Sequence, residues 1–271
     1  MLKIRPAAVA GTFYPADAAA LRAAVDRLLA AAAPAPRDAP AIKALIVPHA
    51  GYLYSGPIAA SAYARLAPAT AGIHRVVLLG PAHRVALRGL ALPGADAFAT
   101  PLGNVAVDAA GAALARRLPQ IADNPLAHAG EHSLEVQLPF LQRMLGAFGL
   151  VPLVVGAATA ESVAEVLDLL WGGPETLIVV SSDLSHYHSY QEAQEIDSAT
   201  AGAILDLAPR LDHEEACGAA PVNGLLLAAR RRGLVPSLLD LRNSGDTAGD
   251  RRQVVGYAAF GFTEAGPHGA H

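Results

Sequence analysis

The sequence predicts an α/β fold: a single domain with a mainly parallel central sheet and helices on both faces. Three observations carry this. KALIVPHAGY at 43–52, HRVVLLGPAHR at 74–84 and TLIVVSSDLSHYH at 176–188 each contain a short continuous run of β-branched residues and leucine, the pattern of a strand buried on both faces. Helical stretches alternate with these runs, as parallel crossovers require. The chain has 271 residues, 53% of them hydrophobic, enough for one large core. Residues 1–265 are assigned to this domain and 266–271 to a disordered tail.

Each element has a local reason. Residues 4–15 read as extended and turn-rich. Asp17 can cap a helix running to about residue 33, which Pro34-Ala35-Pro36 closes. A strand at 45–47 precedes a helix at 57–66, where Pro57 suits a first turn. Strands at 76–79 and 90–92 lead to a helix from Asp108 to about residue 118. Within 133–145, Leu134, Leu138, Leu141 and Leu145 recur at helical spacing, which predicts an amphipathic helix. A strand at 150–155, a helix at 161–170 and a strand at 177–180 follow. Helices at about 192–205 and 221–232 and strands at 237–242 and 254–262 complete the chain.

Composition removes several function classes. The net charge of −4 and 5% aromatic content supply neither a basic footprint nor a stacking platform for nucleic acid. No uninterrupted apolar run reaches the roughly 18 residues of a membrane span, and Pro6, Gly11 and Pro15 interrupt any leader-like segment. Cytoplasmic residence is expected, and the lone Cys217 suits a reducing compartment. No glycine-rich phosphate loop and no nucleophile elbow follows any strand.

The polar residues at the strand ends are the candidate site. Ligands in open α/β sheets bind beyond the carboxyl ends of the strands. The first two runs stop at a proline and deliver His49 and His83; the third delivers Asp183, His186 and His188. Two strand-end imidazoles are candidate metal ligands, although either alone could simply cap a backbone carbonyl. Cys217 precedes a helix and could be a third donor, since a thiol near a helix N-terminus tends towards thiolate; it could equally be a small apolar filler. Asp183 and Glu131 are carboxylate alternatives, which with two histidines would make a facial triad for non-haem iron. His186 is a candidate general acid or base, and Asp183 could orient it or a ligand histidine. Read as a helix, 183–186 would place both on one face, while an N-terminal cap explains Asp183 alone. Glu131 or His132 could face the site, though Glu131 and Glu135 also suit a helix start. Tyr52, Tyr54 and Ser55 could line a pocket. Asn243-Ser244-Gly245-Asp246 reads as a turn and a candidate substrate-contacting loop.

The motifs RPAAVAGTFYP at 5–15, PHAGYLYSG at 48–56, GPAH at 80–83, EHSLEVQLPFL at 131–141, SSDLSHY at 181–187, ACG at 216–218 and NSGD at 243–246 together resemble the Memo family. In bacteria and archaea it is also called AmmeMemoRadiSam system protein B. The Memo fold is similar to class III extradiol (LigB-type) dioxygenases, which use non-haem Fe²⁺. The resemblance implies iron or copper, with zinc as a further candidate, held by His49, His83 and Cys217. It implies proton transfer by His186 beside Asp183. Cys217 stands where the dioxygenases place a glutamate, and its softer sulfur favours Cu(I) or Zn²⁺ more than a carboxylate would. The family name also implies AMMECR-type and radical SAM protein partners.

Three functions are therefore expected candidates: a metal-dependent redox or dioxygenase-type protein, a non-catalytic module binding a peptide or protein, and a metal-dependent hydrolase. The ligand is a small molecule or peptide.

Overall fold

The computed structural model describes residues 2–36, 38–67 and 69–264, so the expected tail at 266–271 lies outside the described residues. In chain order the elements are β1 (Ile4–Arg5), α1 (Ala18–Ala31), β2 (Ile42–Val47), α2 (Tyr52–Tyr63), β3 (Arg75–Pro81), β4 (Leu90–Leu92), β5 (Ala97–Thr100) and β6 (Gly103–Ala106). Next come α3 (Ala109–Ala115), β7 (Ile121–Asp123), α4 (Pro125–Ala129), α5 (Leu138–Leu145), β8 (Gly149–Val155), α6 (Ala160–Leu170) and β9 (Thr176–Ser181). The chain closes with β10 (His186–His188), α7 (Tyr190–Leu205), α8 (Ala219–Arg232), β11 (Leu234–Asn243) and β12 (Val254–Glu264).

β2, β9, β3 and β8 lie side by side and run parallel. Antiparallel pairs flank them: β12 on β2, β10 and β11 on β12, and β4 on β8. β7 extends the far edge, parallel to β4. A separate small sheet has the order β1-β5-β6.

The central strands are apolar throughout because both of their faces are covered. Ile46, Val77, Leu79, Val151, Ile178 and Val180 pack towards α6 and α8, with Val163, Leu167 and Leu225. The alternate residues Leu45, Val47, Val76, Leu78, Leu177 and Val179 pack towards α1, α2 and α5, with Leu21, Ile58 and Phe140. Period-two side-chain alternation thus divides one apolar run between two cores. Full burial of each such aliphatic residue contributes about 1.5–3 kcal/mol.

Three expectations need correction. The helix expected at 57–66 begins at Tyr52, is α-helical to Tyr63 and ends in a tighter turn over Ala64–Leu66. Tertiary anchors start it early: the Tyr52 N–H donates to Phe13 O at 2.8 Å and its hydroxyl to Val136 O at 2.6 Å. Pro57 therefore lies inside the helix. The carbonyl it leaves unpaired belongs to the first turn, beside the exposed Leu53, where water can donate instead. The helix expected at 133–145 begins at Leu138, with Pro139 in its first turn and a short 3-10 turn over Glu135–Gln137 before it. Residues 183–186 are not helical. Ser185 N–H donates to Asp197 Oδ1 at 3.0 Å and Leu184 N–H to Gly256 O at 2.8 Å, so the segment crosses to the sheet and His186 opens β10.

Candidate metal centre

β9 lies between β2 and β3 and parallel to both, so all three carboxyl ends reach the same sheet edge. His49, His83 and Asp183 each lie two residues beyond their strand. Sheet topology alone therefore brings them together. They line one cavity of about 620 Å³ with His132, His186 and Cys217. The rings of His49 and His83 are 5.1 Å apart.

Hydrogen bonds select the tautomer of both strand-end histidines. Ser181 Oγ donates its only proton to Ser133 O at 2.7 Å and accepts from Gln137 Nε2 at 2.9 Å. Its remaining contact, His49 Nδ1 at 2.9 Å, must then be a donation from the ring. His49 Nε2 is left with its lone pair. His83 Nδ1 lies 2.9 Å from Glu131 Oε1, and a carboxylate can only accept, so the neutral form of His83 presents Nε2 with a lone pair. Burial first, then the neighbouring His83, pushes His49 down to about 3, so its imidazole is neutral, as metal ligation requires.

Glu131 organises the opposite wall. It accepts from His83 N at 2.7 Å, His132 N at 2.9 Å and Ser133 N at 2.8 Å, in addition to the His83 ring. Burial works against its charge, but the hydrogen bonds and charge from His83 and the backbone donors outweigh it and hold the carboxyl at about 2. A carboxylate that orients an imidazole from behind is a recurrent support for metal sites.

Asp183 Oδ1 accepts from the backbone N–H of His49 at 2.6 Å, fixing the turn that delivers the ring. Burial raises its pKa. His186 lines the same cavity, next to the exposed Tyr187, which holds a left-handed backbone with φ of 63°. Such a conformation costs a non-glycine residue about 1–2 kcal/mol.

Cys217 Sγ is 3.3 Å from His49 Nε2 and 3.7 Å from Asp183 O. The expected drift towards thiolate does not hold in this structure. α8 starts at Ala219 with Gly218 as its cap, and burial first, then the charge of Asp183, pushes the thiol up to about 12. Desolvation outweighs the helix dipole here.

Two residues matter more in space than in sequence. His132 sits with its ring centroid 4.8 Å from His83 and 5.4 Å from His49. Ser181, at a strand end, looks like ordinary strand chemistry until its three hydrogen bonds are seen. His188 is absent from the cavity lining, and so is the 243–246 turn, where Asn243 and Asp246 form a reciprocal cap. Tyr54 and Ser244 instead line an adjoining groove of about 790 Å³ that shares Tyr187, Val255 and Tyr257 with the cavity.

The family model described as "Memo-like protein" matches residues 5–261. The chain belongs to the Memo family. Among similar proteins, a MEMO1 family protein of Methanopyrus kandleri is 37% identical over 95% of this chain and 98% of its own length. One of Sulfolobus acidocaldarius is 36% identical over 96% and 99%, and one of Aquifex aeolicus 36% over 96% and 100%. The motifs that carry the Memo resemblance are scattered from residue 5 to 246, yet PHAG, GPAH, EHSLE, SSDLSH and ACG meet around this one cavity.

Proposed function

We propose that this Memo protein is a cytoplasmic metal protein with a dioxygenase-like site, in which His49, His83 and Cys217 hold iron, with copper or zinc as alternatives. The observation that carries the reading is the pair of Nε2 lone pairs fixed by Ser181 and Glu131, with a sulfur 3.3 Å from one of them. This donor set fits a transition metal: two neutral imidazoles suit iron, copper and zinc, and a thiol becomes a strong soft donor when a cation displaces its proton.

A bound Fe²⁺ would supply redox chemistry and Lewis acidity in the cavity. The chain supplies the rest. Glu131 and Ser181 hold the imidazoles in the productive tautomer. Asp183 fixes the turn carrying His49. His186, which lines the cavity, would move a proton to or from a bound small molecule. Cys217 stands where a LigB-type site has a carboxylate, and its softer sulfur would change the electronics of a bound iron, so a redox reaction at this site would not have to be catechol ring cleavage.

The test is oxygen uptake by anaerobically purified, iron-loaded protein presented with catechols and other phenols. Uptake that depends on iron and is lost in His186→Ala supports the redox reading. Absence of uptake, with partner binding retained after complete metal removal, would favour a non-catalytic module of the AmmeMemoRadiSam system.

A further inference from the structure

His132 has no part in the ligand set above, yet it is the third imidazole of the site. One nitrogen from each of His49, His83 and His132 lies within 4.8 Å of the others. Three donors at tetrahedral bonds of about 2.1 Å would stand about 3.4 Å apart, a small side-chain adjustment away. In His49 and His83 the Nδ1 is engaged by Ser181 and Glu131, which leaves Nε2 as the available donor, that of His49 being 3.3 Å from Cys217 Sγ.

His132 itself carries an unmet demand. Its Nδ1 is buried and has no hydrogen-bond partner among the described residues. The nearest candidate, Glu131 Oε1 at 3.5 Å, already accepts from His83 Nδ1, His132 N and Ser133 N. A buried polar atom left in this state costs about 1–3 kcal/mol, so the ring is not committed through Nδ1 to a protein partner. The ring is nevertheless held firmly: it stacks on His83 at 18° between planes, and Phe13 packs against it at 4.7 Å. The imidazole is thus positioned but unpaired at Nδ1, beside the imidazoles of His49 and His83.

We propose that His132 is a further metal ligand, so that the site is a three-imidazole centre with Cys217 as an added sulfur donor. The proposal rests on the metal reading of the site and deepens it by naming a donor set. A set of three nitrogens can take a divalent cation before the thiol has given up its proton, and the sulfur then joins with proton release. A site of two histidines and one cysteine has only two nitrogens for that first stage.

Cobalt(II) titration of the full chain under anaerobic conditions tests this by visible absorption and by affinity, with His132→Phe as the central variant. Phenylalanine keeps the ring stacked between Phe13 and His83 while removing both nitrogens. The expected result is one cobalt per chain in wild type, at least tenfold weaker binding in His132→Phe with an altered ligand-field spectrum, and unchanged circular dichroism. Cys217→Ser is expected to retain cobalt while losing the sulfur-to-metal charge-transfer band. If His132→Phe binds cobalt as tightly as wild type with the same spectrum, while His49→Ala does not bind, His132 is not a ligand and the proposal falls with the metal site intact. If wild type takes up no cobalt, iron, copper or zinc, the metal reading fails and this proposal fails with it.

Discussion

Glu131 shows how much a single side chain contributes to this site. Its carboxylate serves four N–H donors, and Glu131→Gln would turn an amide N–H₂ towards at least one of them. The variant is expected to lose about 2–3 kcal/mol, read as a lower urea midpoint. The sign with pH follows from its lowered pKa: the contribution is complete above the ordinary value of 4.5 and is lost as pH falls towards about 2. The deficit of Glu131→Gln should therefore be full at pH 7 and shrink below pH 4.5. Asp197 behaves oppositely. Burial raises it to about 6 from 3.8, so the folded state favours its protonated form. The stability it contributes is present below 3.8 and lost as pH rises through 6. Asp197→Asn should then stabilise the protein at pH 7.5, by at most about 3 kcal/mol, with the gain vanishing near pH 4. At this scale the sequence was legible where a residue acts through its own strand. His49, His83 and Asp183 stand at strand ends and their convergence follows from parallel topology. The tautomer control by Ser181 and Glu131 was not legible, because it pairs them with His49 and His83 at 132 and 48 positions away.

The segment before α5 is the element on which the site depends most. Arg5 and Glu135 form a buried ion pair; Glu135 also accepts from Ala8 N at 2.8 Å, Val9 N at 3.0 Å and the Tyr14 hydroxyl at 2.6 Å. Arg5 in turn donates to the carbonyls of His128 and Glu131. The N-terminal strap is thereby latched to the turn that carries Glu131 and His132. Glu135→Gln would leave the Arg5 charge buried without its counter-ion and is expected to destabilise by about 3–5 kcal/mol, measured by thermal or urea unfolding. This is why the leucine pattern at 133–145 misplaced the helix start: tertiary capture of Glu135 and the proline at 139 override a local periodicity. The short β5, β6 and β7 and α4 went unforeseen because runs of three to five residues carry too little periodicity to read. At the opposite wall, Gly218 lets the Cys217 turn close on β9: a Cβ there would meet Ser182 Cβ at 2.7 Å and Ser181 O at 2.9 Å. Gly218→Ala should push Cys217 away from His49 and weaken metal binding, a loss that cobalt or zinc titration reports directly.

For the whole molecule, the sheet is parallel at its centre, where the site lies, and antiparallel at its flanks, where β11 and β12 follow helix α8. The alternation of runs and helices made the central part readable; the pairing direction of the closing strands was set by tertiary contacts that no local pattern encodes. Among the described residues no helix is long and apolar enough to cross a membrane. Acid sensitivity should be a property of the entire fold. Burial keeps His49 at about 3 and His128 and His132 at about 4, below their ordinary 6.5. The unfolded chain therefore binds more protons between those values, and stability should decline as pH falls from about 6.5 to about 3, as a set of denaturation curves at stepped pH would record. Metal binding is the centre of the proposed function. Elemental analysis by inductively coupled plasma mass spectrometry of anaerobically purified wild type, His49→Ala and Cys217→Ser tests it most directly. Wild type should carry close to one iron, copper or zinc per chain, His49→Ala almost none, and Cys217→Ser a reduced amount; equal content in all three proteins would contradict it.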